Sequence, residues 1–249
     1  MRNTILALAV VSAGCTLSVS AHTDTEHVTR TAALAPGGTL KLRNFSGRVT
    51  ITGTDRQDAS IDAVRHASRE RLETIKLDIH MEGSTLVVNA NHRDFSPFKR
   101  NDRVVDTEFT IEVPRRTSLD ADLFSSPISV DGLEGTHRVH GFSSRVRLEN
   151  MTGPIRVHTF SGPVDIRAAT WESDQSYDID TFSGSVNLQI PDTATGSIAF
   201  NSFSGHLNSD IPLTLRSGNR RSLRADLGTT GTGSTLRFKT FSGSVRINR

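Results

Sequence analysis

The chain has 249 residues, of which 35% are hydrophobic and 22% charged, a balance that suits one large or two ordinary folded domains and excludes a disordered polypeptide. Its 29 basic and 27 acidic side chains are interspersed and leave a net charge of only +2, so no basic face for nucleic acid is implied. Gly, Ser, Thr and Val outweigh the helix formers, which favours strands and turns.

The N-terminus reads as a targeting segment. Arg2 supplies a positive start, Ile5–Val11 an apolar run, and Val19-Ser20-Ala21 a small-residue cleavage site, so residues 1–21 form a signal peptide cut between Ala21 and His22. A second reading is open: "VSAGC" (11–15) satisfies a permissive lipobox, with Ser12 where Leu is usual, and would make Cys15 an acylated N-terminus. No other stretch approaches the ~18 apolar residues of a membrane-spanning helix. The expectation is an exported protein, periplasmic, on the outer surface or secreted, or else a lipoprotein anchored through Cys15. Cys15 is the only cysteine, so the mature fold has no disulfide.

Residues 22–35 are expected as a flexible N-terminal segment, and 36–249 as a single β-repeat domain. Within it, Pro36–Asn44 and Phe45–Gly53 form an early repeat pair. Ala59–Ala67, Thr74–Met81, Ser84–Asn91 and Val104–Val113 then read as alternating strands, with Glu82-Gly83 a hairpin turn and Asn91–Arg103 an exposed loop. Residues 54–114 are accordingly an antiparallel insertion or cap.

From residue 115 to 249 the chain is written in nine-residue units. Phe124, Leu133, Phe142, Met151 and Phe160 open five consecutive units, and a Gly or Ser follows each opener two residues later. The unit ends in an x-Val-x-Ile tail. The phrases "TFSGPVDI" (159–166), "TFSGSVNL" (181–188), "SFSGHLNS" (202–209) and "TFSGSVRI" (240–247) show it most plainly. Pauses at Ala169–Glu172 and Pro191–Thr193 and a long interruption at Pro212–Gly231 break the register. Each unit is one turn and one short strand. A single strand of this kind cannot bury its apolar row; copies stacked about 4.8 Å apart cover one another and pair their backbones. Two units make a coil of eighteen residues. The period therefore predicts an all-β protein, a β-solenoid or two-sheet β-roll, with the phenylalanines stacked at an inner corner and Ser244–Arg249 as its last rung.

The run from "FTIEVPRRTSLDADLF" to "HTFSGPVDI" (109–166) resembles the bacterial putative-adhesin family, exported domains of unknown function with repeated Ser-Gly-x-Val/Ile rungs. Ile111-x-Val113-Pro114 matches the family's strand end, and the rungs match from Leu119 onward. The resemblance implies a repetitive β fold and an envelope or extracellular location, and it supplies no catalytic residues.

A solenoid sets equivalent side chains in columns. Unit position eight gives Arg43, His140, His158, Asp180, Asn201 and Lys239; position six gives Lys41, Arg138, Arg156, Asp178, Ala199 and Arg237. His140, His158 and Asp180 are the only metal-ligand candidates, an imidazole pair beside a carboxylate. With no third fixed ligand and with Arg156 adjacent, they read as a solvated ladder, and neither metal nor cofactor is expected. Arg138, Arg156 and Arg167, together with Asp165, Asp178 and Asp180, form a candidate ligand face. Acid and base clusters of this type serve carbohydrate-active enzymes, yet the short strands offer no cleft for catalysis. The serine of "FSG" sits at a corner without a base at fixed spacing, so it is no nucleophile. The leading expectation is a non-enzymatic envelope scaffold or adhesion surface whose partner is an envelope protein or a surface glycan. The alternative is a carbohydrate-binding or carbohydrate-cleaving protein that uses the Arg/His/Asp face.

Overall fold

The computed structural model describes residues 23–92, 104–168, 170–171, 175–219, 221–228 and 233–249. The signal peptide, Cys15, the Ala21–His22 cleavage site and most of the expected 91–103 loop lie outside the described residues. In chain order the strands are β1 (Asp24–Ala32), β2 (Thr39–Ser46), β3 (Val49–Thr54) and β4 (Ala59–Ala67), followed by a one-and-a-half-turn helix, α1 (Arg69–Thr74). Then come β5 (Lys76–Glu82), β6 (Thr85–His92), β7 (Asp106–Pro114), β8 (Ser118–Ser125), β9 (Ile128–Asp131), β10 (His137–Ser143) and β11 (Val146–Glu149). β12 (Ile155–Ser161), β13 (Val164–Arg167), β14 (Ser176–Thr181), β15 (Val186–Gln189), β16 (Gly196–Ser202) and β17 (Leu207–Ser209) continue the rungs. β18 (Leu213–Gly218), β19 (Ser222–Leu227), β20 (Ser234–Thr240) and β21 (Val245–Asn248) complete the chain.

The strands form two sheets, one ordered β1-β4-β7-β3-β9-β11-β13-β15-β21-β17 and the other β18-β19-β16-β20-β14-β12-β10-β8-β2-β6-β5. Each coil contributes a longer strand to the second sheet and a shorter one to the first. Neighbouring coils pair in parallel and in register: Val139 lies opposite Val157, and Leu148 opposite Ile166. The nine-residue unit is thus one edge of a two-sheet β-solenoid. Its dry interior is a single cluster in which Val130, Val139, Leu148, Val157, Ile166 and Ile179 follow one another with at most 2% exposure. Burying a side chain of this size stabilises by about 1.5–3 kcal/mol, so the stack is held by its aliphatic rows.

Four features depart from the sequence reading. First, residues 24–32, expected to be flexible, form β1, which pairs antiparallel with β4 from Asp24–Ala67 to Ala32–Ala59. Both its faces are largely half-exposed or exposed, so its apolar signal is weak. The nearly fully buried Arg65 guanidinium fastens this edge, pairing with Glu26 and donating to the Ile75 carbonyl. Second, the 54–114 section is antiparallel only in part. β4 and β5 run antiparallel, but β6 and β7 pair in parallel with β2 and β3 and make a coil of their own. α1 also occupies the start of the expected 74–81 strand, which begins at Lys76.

Third, chain order is not stacking order. β20 and β21 sit between β14/β15 and β16/β17, so the C-terminal coil is an interior rung. The far end is instead β16/β17, closed on one sheet by the antiparallel hairpin of β18 and β19. Fourth, the phenylalanines expected at an inner corner point outward. In β8, Leu119, Ala121 and Leu123 are buried while Phe124 is 42% exposed. The strand runs straight across the unit boundary, so Phe124 keeps the outward parity of Asp120 and Asp122. At the alternate boundaries Gly132 (φ 72°) and Asn150 (φ 53°) break the alternation in the left-handed region, and Leu133 and Met151 turn inward.

Candidate functional site

The outward phenylalanines form one continuous ladder. In stacking order it runs Phe45, Phe124, Phe142, Phe160, Phe182, Phe241 and Phe203. Adjacent ring centroids lie 4.3–5.0 Å apart with planes within 14° of parallel. Each ring is 40–55% exposed. The rings stack face to face because parallel in-register strands place equivalent Cβ atoms one strand spacing apart. The Arg221 guanidinium, 4.6 Å from the Phe203 centroid, closes that end. What the ladder shows to solvent is ring edge, over a length of roughly 29 Å for six strand spacings.

The corner beyond the ladder is tight. A Cβ at Gly162 would meet the Ser144 carbonyl oxygen at 2.3 Å, and one at Gly184 the Gly162 oxygen at 2.1 Å. Stacked turns leave no volume there, which is why the unit writes Gly. Where Ser144 takes the place, its buried hydroxyl accepts from the Ser126 amide at 3.1 Å and donates to the Phe124 carbonyl at 3.3 Å.

Two residues before each phenylalanine, on the same outward face, stands a polar column: Arg43, Asp122, His140, His158, Asp180, Lys239 and Asn201 in stacking order. Arg43 Nε lies 3.2 Å from Asp122 Oδ2, and His140 Nδ1 3.5 Å from Asp122 Oδ1. His158 Nδ1 lies 3.8 Å and Lys239 Nζ 3.4 Å from Asp180 Oδ2. Each imidazole thus leans to its own aspartate, and the two rings meet edge to face at 5.5 Å. All these pairs are solvated and individually weak. Between column and ladder runs a groove of about 1110 Å³ floored by Leu123, Gly141, Thr159, Thr181 and Thr240. These residues have inward parity and are buried, so between the two outward columns chiefly backbone is left, and that creates the groove.

The sequence-derived candidates divide between two faces. His140, His158 and Asp180 are brought together as neighbours in the column. Among the described residues, however, no group of three His, Cys, Asp or Glu side chains has a metal-holding arrangement. Arg138, Arg156 and Asp178 share the neighbouring column on the same sheet, where Asp178 lies 3.6 Å from Arg156 and 3.7 Å from Arg237. Asp165 and Arg167 lie on β13 in the other sheet, opposite Arg147 and Glu149, so the expected Arg/Asp face is split between two sheets. Asp120 and Asp122 escaped the sequence reading, although both occupy the outward positions of the unit 115–123 and their register was available.

Three further groups complete the electrostatics. His137, inward-facing, is fully buried and donates from Nε2 to the Thr152 carbonyl at 3.2 Å. Burial pushes its pKa down to about 4 against the smaller opposing effect of the Thr152 and Leu133 carbonyls, so it stays neutral. On the edge strand β5, hydrogen bonds to Glu82 and then to Asp78 raise the pKa of exposed His80. Trp171 is not an open platform: its indole N–H donates to the Thr195 carbonyl at 2.9 Å and its ring meets Tyr177 edge to face at 5.6 Å.

No helix among the described residues is long and apolar enough to cross a membrane. No curated protein matches the chain. Among solved structures, it is similar to a putative cell adhesion protein from Clostridium sporogenes, with 11% identity, 91% of this chain and 99% of that chain covered and a TM-score of 0.49. A putative adhesin from Bacteroides fragilis has 12% identity, 89% and 97% coverage and a TM-score of 0.34. A putative lipid binding protein from Parabacteroides distasonis has 9% identity, 90% and 97% coverage and a TM-score of 0.27. Likenesses of this size carry nothing about function. The model of the family described as Toastrack DUF4097 matches residues 136–248, which run from β10 to β21 and include the capping hairpin of β18 and β19. Residues 136–248 are thus similar to the Toastrack DUF4097 family, domains of unknown function, in line with the resemblance that the rung motif carries.

Proposed function

We propose that the protein is an exported, non-enzymatic interaction surface of the bacterial envelope. It works by presenting side chains in columns at one-strand spacing, so that weak contacts add along the stack. The observation that carries this reading is the pairing of a continuous aromatic ladder with a polar column in strict register on one outward face. Export rests on the leader sequence, with His22 as the mature N-terminus or Cys15 as an acylated one.

The geometry speaks for recognition rather than for turnover. The aspartates nearest the groove, Asp122 and Asp180, are each held by a cation or an imidazole, and Asp165 and Arg167 are split from Asp178 onto the other sheet. Sugar stacking on the ladder is disfavoured as well, because its ring faces cover one another and Arg221 covers Phe203.

Two measurements test the proposal. Mass spectrometry of the mature chain from its bacterial host is expected to find His22 or lipid-modified Cys15 at the N-terminus; an intact Met1 in the cytoplasm contradicts export. Polysaccharide-cleavage assays are expected to show no turnover. Turnover that disappears in Asp165→Asn, Asp178→Asn or Asp180→Asn contradicts the non-enzymatic reading and establishes the carbohydrate-active one.

A further inference from the structure

The area of the ladder decides whether it is ordinary surface. Seven rings, each 40–55% exposed and each offering roughly 200 Å² when free, leave about 600 Å² of aromatic surface in one stripe. That is the upper end of what a monomer's largest apolar patch reaches. Two such stripes packed together remove roughly 1,200 Å² from water, the lower bound of a stable protein–protein interface.

The shape of the face selects the partner. A ridge, the ladder, and a groove of about 1110 Å³ run side by side from the Phe45 rung to the Phe241 rung. A two-fold axis parallel to the stack and lying between them exchanges the two, setting the ridge of one copy into the groove of the other. This operator leaves every rung at its own height, so the strand-spaced repeat of the rings stays in phase over its entire length. An unrelated partner would have to carry the same period; a second copy carries it by construction. The polar margins agree. The column Arg43, Asp122, Asp180 and Lys239 is neutralised within itself and would border the partner's corner serines, such as Ser143 and Ser183, which are exposed. No like charges are brought face to face.

We propose that the ladder-and-groove face is the contact of a parallel homodimer with the two solenoids side by side. The proposal rests on reading the solenoid as an interaction surface and names its first partner as a second copy of this chain.

Sedimentation of the mature chain tests it. A dimer is expected at tens of micromolar, and Phe142→Asp combined with Phe160→Asp is expected to raise the dissociation constant at least ~100-fold. Both rings are half exposed, so the variant should keep the wild-type circular dichroism spectrum; Arg147→Asp, on the other sheet, should leave the dimer intact. A Phe142→Cys chain, with Cys15 replaced by serine, is expected to form a disulfide between the two copies of position 142. Phe45→Cys mixed with Phe203→Cys should form only links between like positions, since an antiparallel pair would join these two ends of the ladder. A monomer at about 100 µM, or a dimer that tolerates the double aspartate variant, overturns the proposal. A monomer whose ladder binds phosphatidylglycerol vesicles also overturns it, because the occupant is then lipid, while the broader reading as an interaction surface survives.

Discussion

The interior aliphatic rows and the exterior phenylalanine ladder are built from the same nine-residue period, yet one is dry and the other wet. Val139, Val157 and Ile179 are fully buried in the second sheet, whereas Phe142, Phe160 and Phe182, three residues further along the same coils, are 46–48% exposed. A period fixes spacing along the stack; it does not fix the side. The side is set by alternation within each strand, and the alternation continues until a left-handed residue interrupts it. Gly132 and Asn150 interrupt it before Leu133 and Met151, and nothing interrupts it before Phe124, Phe142 or Phe160.

The largest test of this contrast places a charge on each side. Val157→Asp buries a carboxylate among aliphatic neighbours and should cost more than about 4 kcal/mol, enough to abolish the cooperative urea transition. The same change at Phe160 should leave a folded chain.

Next is the buried titratable group. Folded His137 stays neutral down to about pH 4, while the unfolded chain protonates near 6.5. Between these values the unfolded state binds the extra proton, so the contribution is fully present above pH 6.5 and is lost as the pH falls toward 4. The loss should approach 3 kcal/mol at roughly 1.4 kcal/mol per pH unit. His137→Gln, compared with wild type in urea titrations at several pH values, should flatten that acid limb.

The corner behind the ladder sits between the two regimes. Gly184→Ala sets a methyl group 2.1 Å from the Gly162 carbonyl oxygen and should cost about 2–3 kcal/mol in thermal or urea unfolding. The smallest effect sharpens the comparison most. In Phe238→Tyr the hydroxyl enters the interior and should cost about 2 kcal/mol, whereas in Phe241→Tyr, at the end of the same strand, it reaches water and should stay within about 0.5 kcal/mol at high dilution.

Much of the fold was legible in the sequence. The x-Val-x-Ile tails gave the buried rows, the Gly and Ser positions gave the corners, and the pauses at 169–172 and 191–193 fell between strands. The outward turn of the phenylalanines was legible too, had alternation been carried across the unit boundary from Asp120 and Asp122 to Phe124. β1 was not, because its edge position leaves most of its side chains at least partly solvated and so removes the apolar pattern. The interior placement of β20 and β21 was likewise hidden: the Phe241 unit fits any rung equally well, and only three-dimensional pairing decides which neighbours it takes. Of the candidate site, the period gave the register that sets His140, His158 and Asp180 on successive rungs, but not the lean of His140 to Asp122. The groove beside it was missed because it lies over the inward positions Gly141, Thr159, Thr181 and Thr240, where the outer face carries backbone and no column of side chains to read.

The central claim is that one periodic sequence carries an inner and an outer column. Thiol labelling at high dilution tests it most directly, with single cysteines placed at Phe142 and at Val139 in a chain whose Cys15 is serine. The cysteine at 142 should react in the native state nearly as fast as a free thiol, and the one at 139 only on unfolding. Protection at 142, or native-state reactivity at 139, would contradict the account.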